Sequence, residues 1–105
     1  MAPRYACRKD NNHALIADAF RALGWFWIDT YQHAQYTPGF FDGLAVKGGV
    51  VLGVEIKDGE RPLTPEERAF HAHWEAPLVI VRNIDDVLWA NGHDWTWPNG
   101  NGRGR

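Results

Sequence analysis

Residues 50–57, reading Val-Val-Leu-Gly-Val-Glu-Ile-Lys, constrain this chain more than any other stretch. Their branched, mostly apolar content favours a strand. Successive side chains of a strand point to opposite faces. Leu52, Val54 and Ile56 therefore share one face, and Gly53, Glu55 and Lys57 share the other. A carboxylate and an ammonium thus fall at the end of a strand that otherwise asks for burial. Charges in such a place are costly unless they are paired or bind a metal.

The segment 40–47 reads as the preceding strand, joined to 50–57 through Gly48 and Gly49. A hairpin here carries Asp42 towards Glu55. Two carboxylates and an amine on adjacent strands are the minimum set for metal-assisted cleavage of a phosphodiester.

The rest of the chain supplies a frame for that hairpin. Asn11 or Asn12 caps a helix over 11–23, with Leu15, Ile16, Ala19, Phe20 and Leu23 as its apolar stripe and Gly24 as its stop. Residues 25–31 favour a strand, with Trp25 and Trp27 facing away from Phe26. Residues 32–39 read as a loop. Thr64, Pro65 and Glu67 form a capping box that opens a second helix, on which Phe70 and Trp74 lie one turn apart. Residues 78–82 read as a short apolar strand. Asn83 caps a last helix with Ile84, Val87 and Leu88 inward. The order α-β-β-β-α-β-α predicts an α/β fold, a mixed sheet flanked by helices with the hairpin at its centre. The helical link between the third and fourth strands allows those two to pair in parallel.

At 105 residues the chain fits one domain, placed at 1–90, with a Gly-, Asn- and Trp-rich tail at 91–105 that reads as loosely ordered or docked through Trp95 and Trp97. A net charge of −2 gives no global attraction to nucleic acid. Any DNA contact falls to local bases, for which Arg8, Lys9, Lys47, Arg61 and Arg68 are the candidates. Cys7 is the only cysteine, so no disulfide forms within the chain. The polar start and the lack of a long apolar stretch lead to an expectation of cytoplasmic residence and no membrane contact. Six tryptophans exceed what so small a core readily hides, which leads to an expectation of a homodimer.

Asp42 and the Glu55-Ile56-Lys57 run resemble the first acid and the E-x-K of the PD-(D/E)XK nuclease superfamily. The element order is similar to its small phage-type branch, the VRR-NUC and Holliday-junction-resolvase-like proteins. The resemblance covers roughly residues 8–90. It implies a restriction-endonuclease-like core and a Mg²⁺- or Mn²⁺-dependent endodeoxyribonuclease acting on branched or flapped DNA in a bacterial host cell. Asp42, Glu55 and the backbone carbonyl of Ile56 would hold the metal, and Lys57 would stand beside the phosphate. The family's glutamate near the start of the first helix is matched most nearly by His13 or Asp10, which makes His13 a further metal-ligand candidate. Phe41 stands where the family usually has proline, and Glu67 or Arg68 where it often has glutamine. The alternative is a non-catalytic nuclease-fold protein that binds nucleic acid or acts as an inhibitor or interaction module. Glu67 reads as serving its capping box. His71 and His73 read as lying on different helix faces. His33 and Tyr36 precede Asp42 in a loop that could touch substrate.

Overall fold

The structure, a computed structural model, describes residues 12–95. In chain order it comprises α1 (His13–Ala22), β1 (Phe26–Asp29), a short 3-10 helix (Tyr31–Gln35), β2 (Gly43–Lys47), β3 (Val50–Ile56), α2 (Pro65–His73), β4 (Leu78–Val81) and α3 (Ile84–Gly92). The fold is α/β, with a four-stranded mixed sheet and three helices.

Gly48 and Gly49 both adopt positive φ, 57° and 82°. That backbone matches the twist of a tight two-residue hairpin, and glycine adopts it without strain. The turn sets Lys47 opposite Val50 and so fixes the register of β2 on β3. The sheet order is β1-β2-β3-β4, which puts the hairpin in the centre. The first two pairings are antiparallel and the third is parallel. The parallel step needs a crossover, and α2 supplies it.

From Leu52 onwards both faces of β3 are covered. Leu52, Val54 and Ile56 are fully buried with Trp27, Ala45, Val79 and Val81, beneath Ile16 and Phe20 of α1 and Val87 and Ala90 of α3. The other face carries a second, aromatic cluster. Phe41 is fully buried there, its ring centroid 5.2 Å from Phe70, 5.2 Å from His71 and 4.8 Å from Trp74. Two glycines let rings lie against the sheet. A Cβ at Gly43 would stand 2.1 Å from the Trp27 ring, and one at Gly53 would stand 2.3 Å from the Phe41 ring.

Local signals account for the helix ends. Thr64 Oγ1 accepts the Glu67 amide at 3.1 Å, and Glu67 Oε1 accepts the Thr64 amide at 2.9 Å, with Pro65 opening α2. Asn83 Oδ1 accepts the Asp86 amide at 3.0 Å and caps α3. Asn12 sits at the cap position of α1 without capping it; its side chain instead donates to the Arg82 carbonyl at 3.1 Å.

Several expectations are corrected. Leu15 is 60% exposed; the buried stripe of α1 is His13, Ile16, Ala17 and Phe20, at spacings of three and four. In α3, Ile84 and Leu88 are exposed, while Val87 and Ala90 face inward. The strand expected over 40–47 begins only at Gly43, because Phe41 turns into the cluster under α2. The strand expected over 25–31 ends at Asp29, and part of the expected loop is the 3-10 helix. α3 runs to Gly92, so the start of the tail belongs to the folded unit. Trp95 is buried, its Nε1 donating to the Ala90 carbonyl at 2.7 Å. Asn11 and Trp97 lie outside the described residues.

Candidate active site

β3 ends by presenting Glu55 and then Lys57 to the face under α2. Both are buried, at 2% and 4% exposed. Glu55 meets three side chains there. His71 Nε2 lies 3.3 Å from its Oε1, and Asp42 and Glu67 each approach closely enough to share a hydrogen bond with it. Burial pushes the Glu55 carboxyl up to about 11, and the negative charges of Asp42 and Glu67 push the same way. At neutral pH this arrangement keeps a proton on Glu55.

Asp42 is held by backbone on both sides. Its amide donates to the Val54 carbonyl at 3.0 Å, although Gly43 is the residue paired with Val54. Two residues of one strand thus face one of the next, the geometry of a β-bulge, which re-aims a side chain. Asp42 Oδ2 accepts the Ile56 amide at 2.7 Å, and the Asp42 carbonyl accepts the Thr30 amide at 2.9 Å. The amide and carbonyl of one strand residue point to the same edge. The Ile56 carbonyl therefore faces the edge that Asp42 occupies.

Glu67 does more than cap α2. Its Oε1 also accepts from Lys57 Nζ at 2.7 Å. Burial alone would raise the Glu67 carboxyl, but the Lys57 ammonium and the Thr64 amide outweigh it and hold the group below its ordinary value. The cluster therefore runs from Asp42 through Glu55 and Glu67 to Lys57, with His71 against Glu55. It is closed on itself by hydrogen bonds rather than opened around a central point. Among the described residues, no group of three or more His, Cys, Asp or Glu side chains is arranged to hold a metal ion.

Asp42, Glu55 and Lys57 are thus brought together, with Ile56 between the last two. Other candidates stand apart. His13 bonds Asp29 Oδ1 through Nε2 at 3.1 Å, with its ring edge-on to Tyr31. Asp29 pairs with Gly43 and Gly43 with Val54, so the His13–Asp29 pair lies on the Val54 face, opposite Glu55. That placement removes His13 from the cluster. Lys47 sits at the hairpin turn, the far end of β2 from Asp42. Its Nζ donates to the Leu23 carbonyl at 2.7 Å and to Asn91 at 3.0 Å, tying the ends of α1 and α3. Arg61 and Arg68 are exposed on the stretch that follows Lys57 and enters α2. Arg8 and Lys9 lie outside the described residues.

Sequence reasoning gives Glu67 to its cap alone and leaves His71 without a role, whereas the structure brings both to Glu55. A signal for both existed. Glu67 and His71 are four residues apart and share a helix face, which comparing His71 only with His73 overlooks.

No family model matches this chain, and no curated protein or solved structure matches it either.

Proposed function

We propose that the chain is a divalent-metal-dependent DNA endonuclease with a restriction-endonuclease-like core of the PD-(D/E)XK kind. The observation that carries this reading is the convergence of Asp42 and Glu55 at the same end of adjacent strands, with Lys57 one position beyond Ile56. A carboxyl kept neutral by its burial first, and then by two neighbouring acids, is a poor structural choice unless a cation can take the place of its proton. The donors are all oxygen, which suits Mg²⁺ or Mn²⁺. Asp42, Glu55 and the Ile56 carbonyl would hold it. Bound there, such an ion supplies an acidified water and positive charge beside a phosphate.

The chain's own residues do the rest. The bulge and the Ile56 amide aim Asp42. His71 orients Glu55, as partners behind metal ligands commonly do. Lys57 provides positive charge where the transition state gathers negative charge, and Glu67 fixes its position. Arg61 and Arg68 flank the cluster on the chain and would meet the DNA backbone, with Arg8 and Lys9 as further candidates.

Recognition by DNA shape, through backbone contacts, makes branched or flapped DNA the preferred substrate. The role is that of a phage or mobile-element enzyme in the cytoplasm of a bacterial host. A homodimer fits the open part of the sheet. Phe26, Val46 and Val51 stand side by side there, and Phe26 is 67% and Val51 47% exposed. Among the described residues no helix is long and apolar enough to cross a membrane.

One observation favours the non-catalytic alternative. Lys57 is deeply buried and its ammonium is engaged by Glu67. In that reading the cluster only holds α2 to the sheet. Incubating the purified protein with flapped, branched and linear DNA separates the two. A nuclease cuts with Mg²⁺ or Mn²⁺ and stops with chelator; an interaction module cuts nothing under either condition.

A further inference from the structure

At the end of the sheet where β2 begins lies a cavity that shares no residue with the acidic cluster and that the metal chemistry does not use. Its volume is about 460 Å³, within the range of small-ligand sites, and it is formed by the end of β1 and the 3-10 helix. Asp29, Tyr31, Gln32, His33, Gln35 and Tyr36 line it. Thr30, also in its wall, ties it to the site: its amide donates to the Asp42 carbonyl at 2.9 Å and its hydroxyl to the Phe41 carbonyl at 2.8 Å. β1 ends, β2 begins and β3 ends at the same end of the sheet. Thr30 is two strands from Glu55, roughly 10 Å at ordinary strand spacing.

The lining chemistry selects the ligand. Neither lysine nor arginine contributes, and Asp29 places a carboxylate in the wall, so the cavity repels a phosphate. Gln35 carries an amide that both donates and accepts, whereas Gln32 Nε2 donates to the Tyr31 hydroxyl at 3.0 Å and Asp29 Oδ1 is bonded by His13 Nε2 at 3.1 Å. Tyr31, His33 and Tyr36 bring rings to the wall; Tyr31 packs against His13, and His33 packs against Phe40 and Tyr36. The Tyr36 side chain is 75% exposed, a large ring left in water beside the cavity. Rings for stacking together with an amide for a base edge, without cationic groups, match an unpaired nucleobase. We infer that this cavity holds an unpaired base of the substrate strand, one or two nucleotides from the phosphate at the acidic cluster. The inference rests on the nuclease reading for its substrate. It gives a physical reason for preferring flapped or branched DNA over a continuous duplex, whose bases are all paired.

Binding without metal tests it independently of cutting. The full chain is titrated into a short fluorescent single-stranded oligonucleotide and into an abasic oligonucleotide of equal length and charge. The wild-type protein binds the base-bearing strand more tightly. Tyr36→Ala weakens that binding by roughly five- to a hundredfold while leaving the abasic strand unchanged. Tyr36→Phe, which keeps the ring, restores it. Equal binding of the two strands by the wild-type protein, or an unchanged preference in Tyr36→Ala, overturns the inference. A parallel cleavage assay with Mg²⁺ reads the nuclease proposal separately. Cutting without base preference removes the cavity's role and keeps the enzyme; base preference without cutting supports the cavity's role and removes the enzyme.

Discussion

Oδ2 of Asp42 accepts the amide of Ile56 at 2.7 Å, so the backbone of one strand fixes an acid carried by its neighbour. The bond replaces a ladder partner that the β-bulge takes away. It also joins the two halves of the candidate site, because Ile56 lies between Glu55 and Lys57. Asp42→Asn keeps the size of the side chain and weakens this acceptor. We expect it to abolish metal-dependent cutting and to cost about 1–2 kcal/mol of stability in chemical denaturation. Full activity in Asp42→Asn would show that the convergence has no chemical role.

Glu55 gives a pH prediction whose sign is fixed. Its carboxyl ionises near 11 in the folded chain against an ordinary value near 4.5, through burial first and neighbouring acids second. Folding therefore favours the protonated form. The contribution to stability is complete below the ordinary value and is lost as pH rises from there towards 11. Glu55→Gln mimics the protonated group, so it removes a penalty that reaches at most ~3 kcal/mol near pH 7. Urea unfolding should find the variant more stable than wild type at neutral pH, with the difference vanishing near pH 4.5. Glu67, held low mainly by Lys57, works the other way: its contribution is lost as pH falls. Parallel pH profiles for the wild-type and Glu55→Gln proteins would contradict the raised Glu55.

The same proton links metal to pH. A cation that takes the Glu55 carboxylate must displace the proton it carries at neutral pH. Calorimetric titration with Mn²⁺ in buffers of different ionisation enthalpy should report proton release, and binding should tighten as pH rises. Binding with no proton release would place the ion elsewhere.

These features differ in how far the sequence discloses them. The capping box at Thr64, the Gly48-Gly49 turn and the alternation of 50–57 are local, and all three appear in the structure as read. Asp42 and Glu55 come together because those local signals fix the hairpin. The bulge at Asp42 was not legible, since it depends on Phe41 leaving the strand to fill the space between Gly53 and α2. Leu15 was misplaced because α1 carries apolar residues on more than one side, and only tertiary packing decides which side turns inward. His71 needed Glu67 to be read as a site residue before its spacing meant anything.

Gly53 should resist substitution for the reason that hid the bulge. A Cβ there would meet the Phe41 ring at 2.3 Å, and Phe41 is boxed in by Phe70, His71 and Trp74. Gly53→Ala should lower stability by about 1–3 kcal/mol, as overpacking does. Because Glu55 is two residues away on the same face, cutting should fall as well. A melting temperature equal to wild type would mean that the aromatic cluster is looser than described.

The row of Phe26, Val46 and Val51 predicts self-association. Light scattering at micromolar concentration should report a dimer, and Phe26→Glu should shift it to monomer without unfolding, since Phe26 is 67% exposed. A wild-type protein that is strictly monomeric would remove the dimer from the account.

The central claim is tested most directly by cutting rates of the wild-type protein and two glutamine variants on one flapped DNA with Mg²⁺. Glu55→Gln removes the ligand charge from the cluster, and Glu60→Gln removes an equal charge from the exposed loop beyond it. The account predicts cutting by wild type and Glu60→Gln, both silenced by chelator, and none by Glu55→Gln although it folds and still binds the DNA. Equal cutting by Glu55→Gln, or none by the wild-type protein on any branched substrate with either metal, would contradict it.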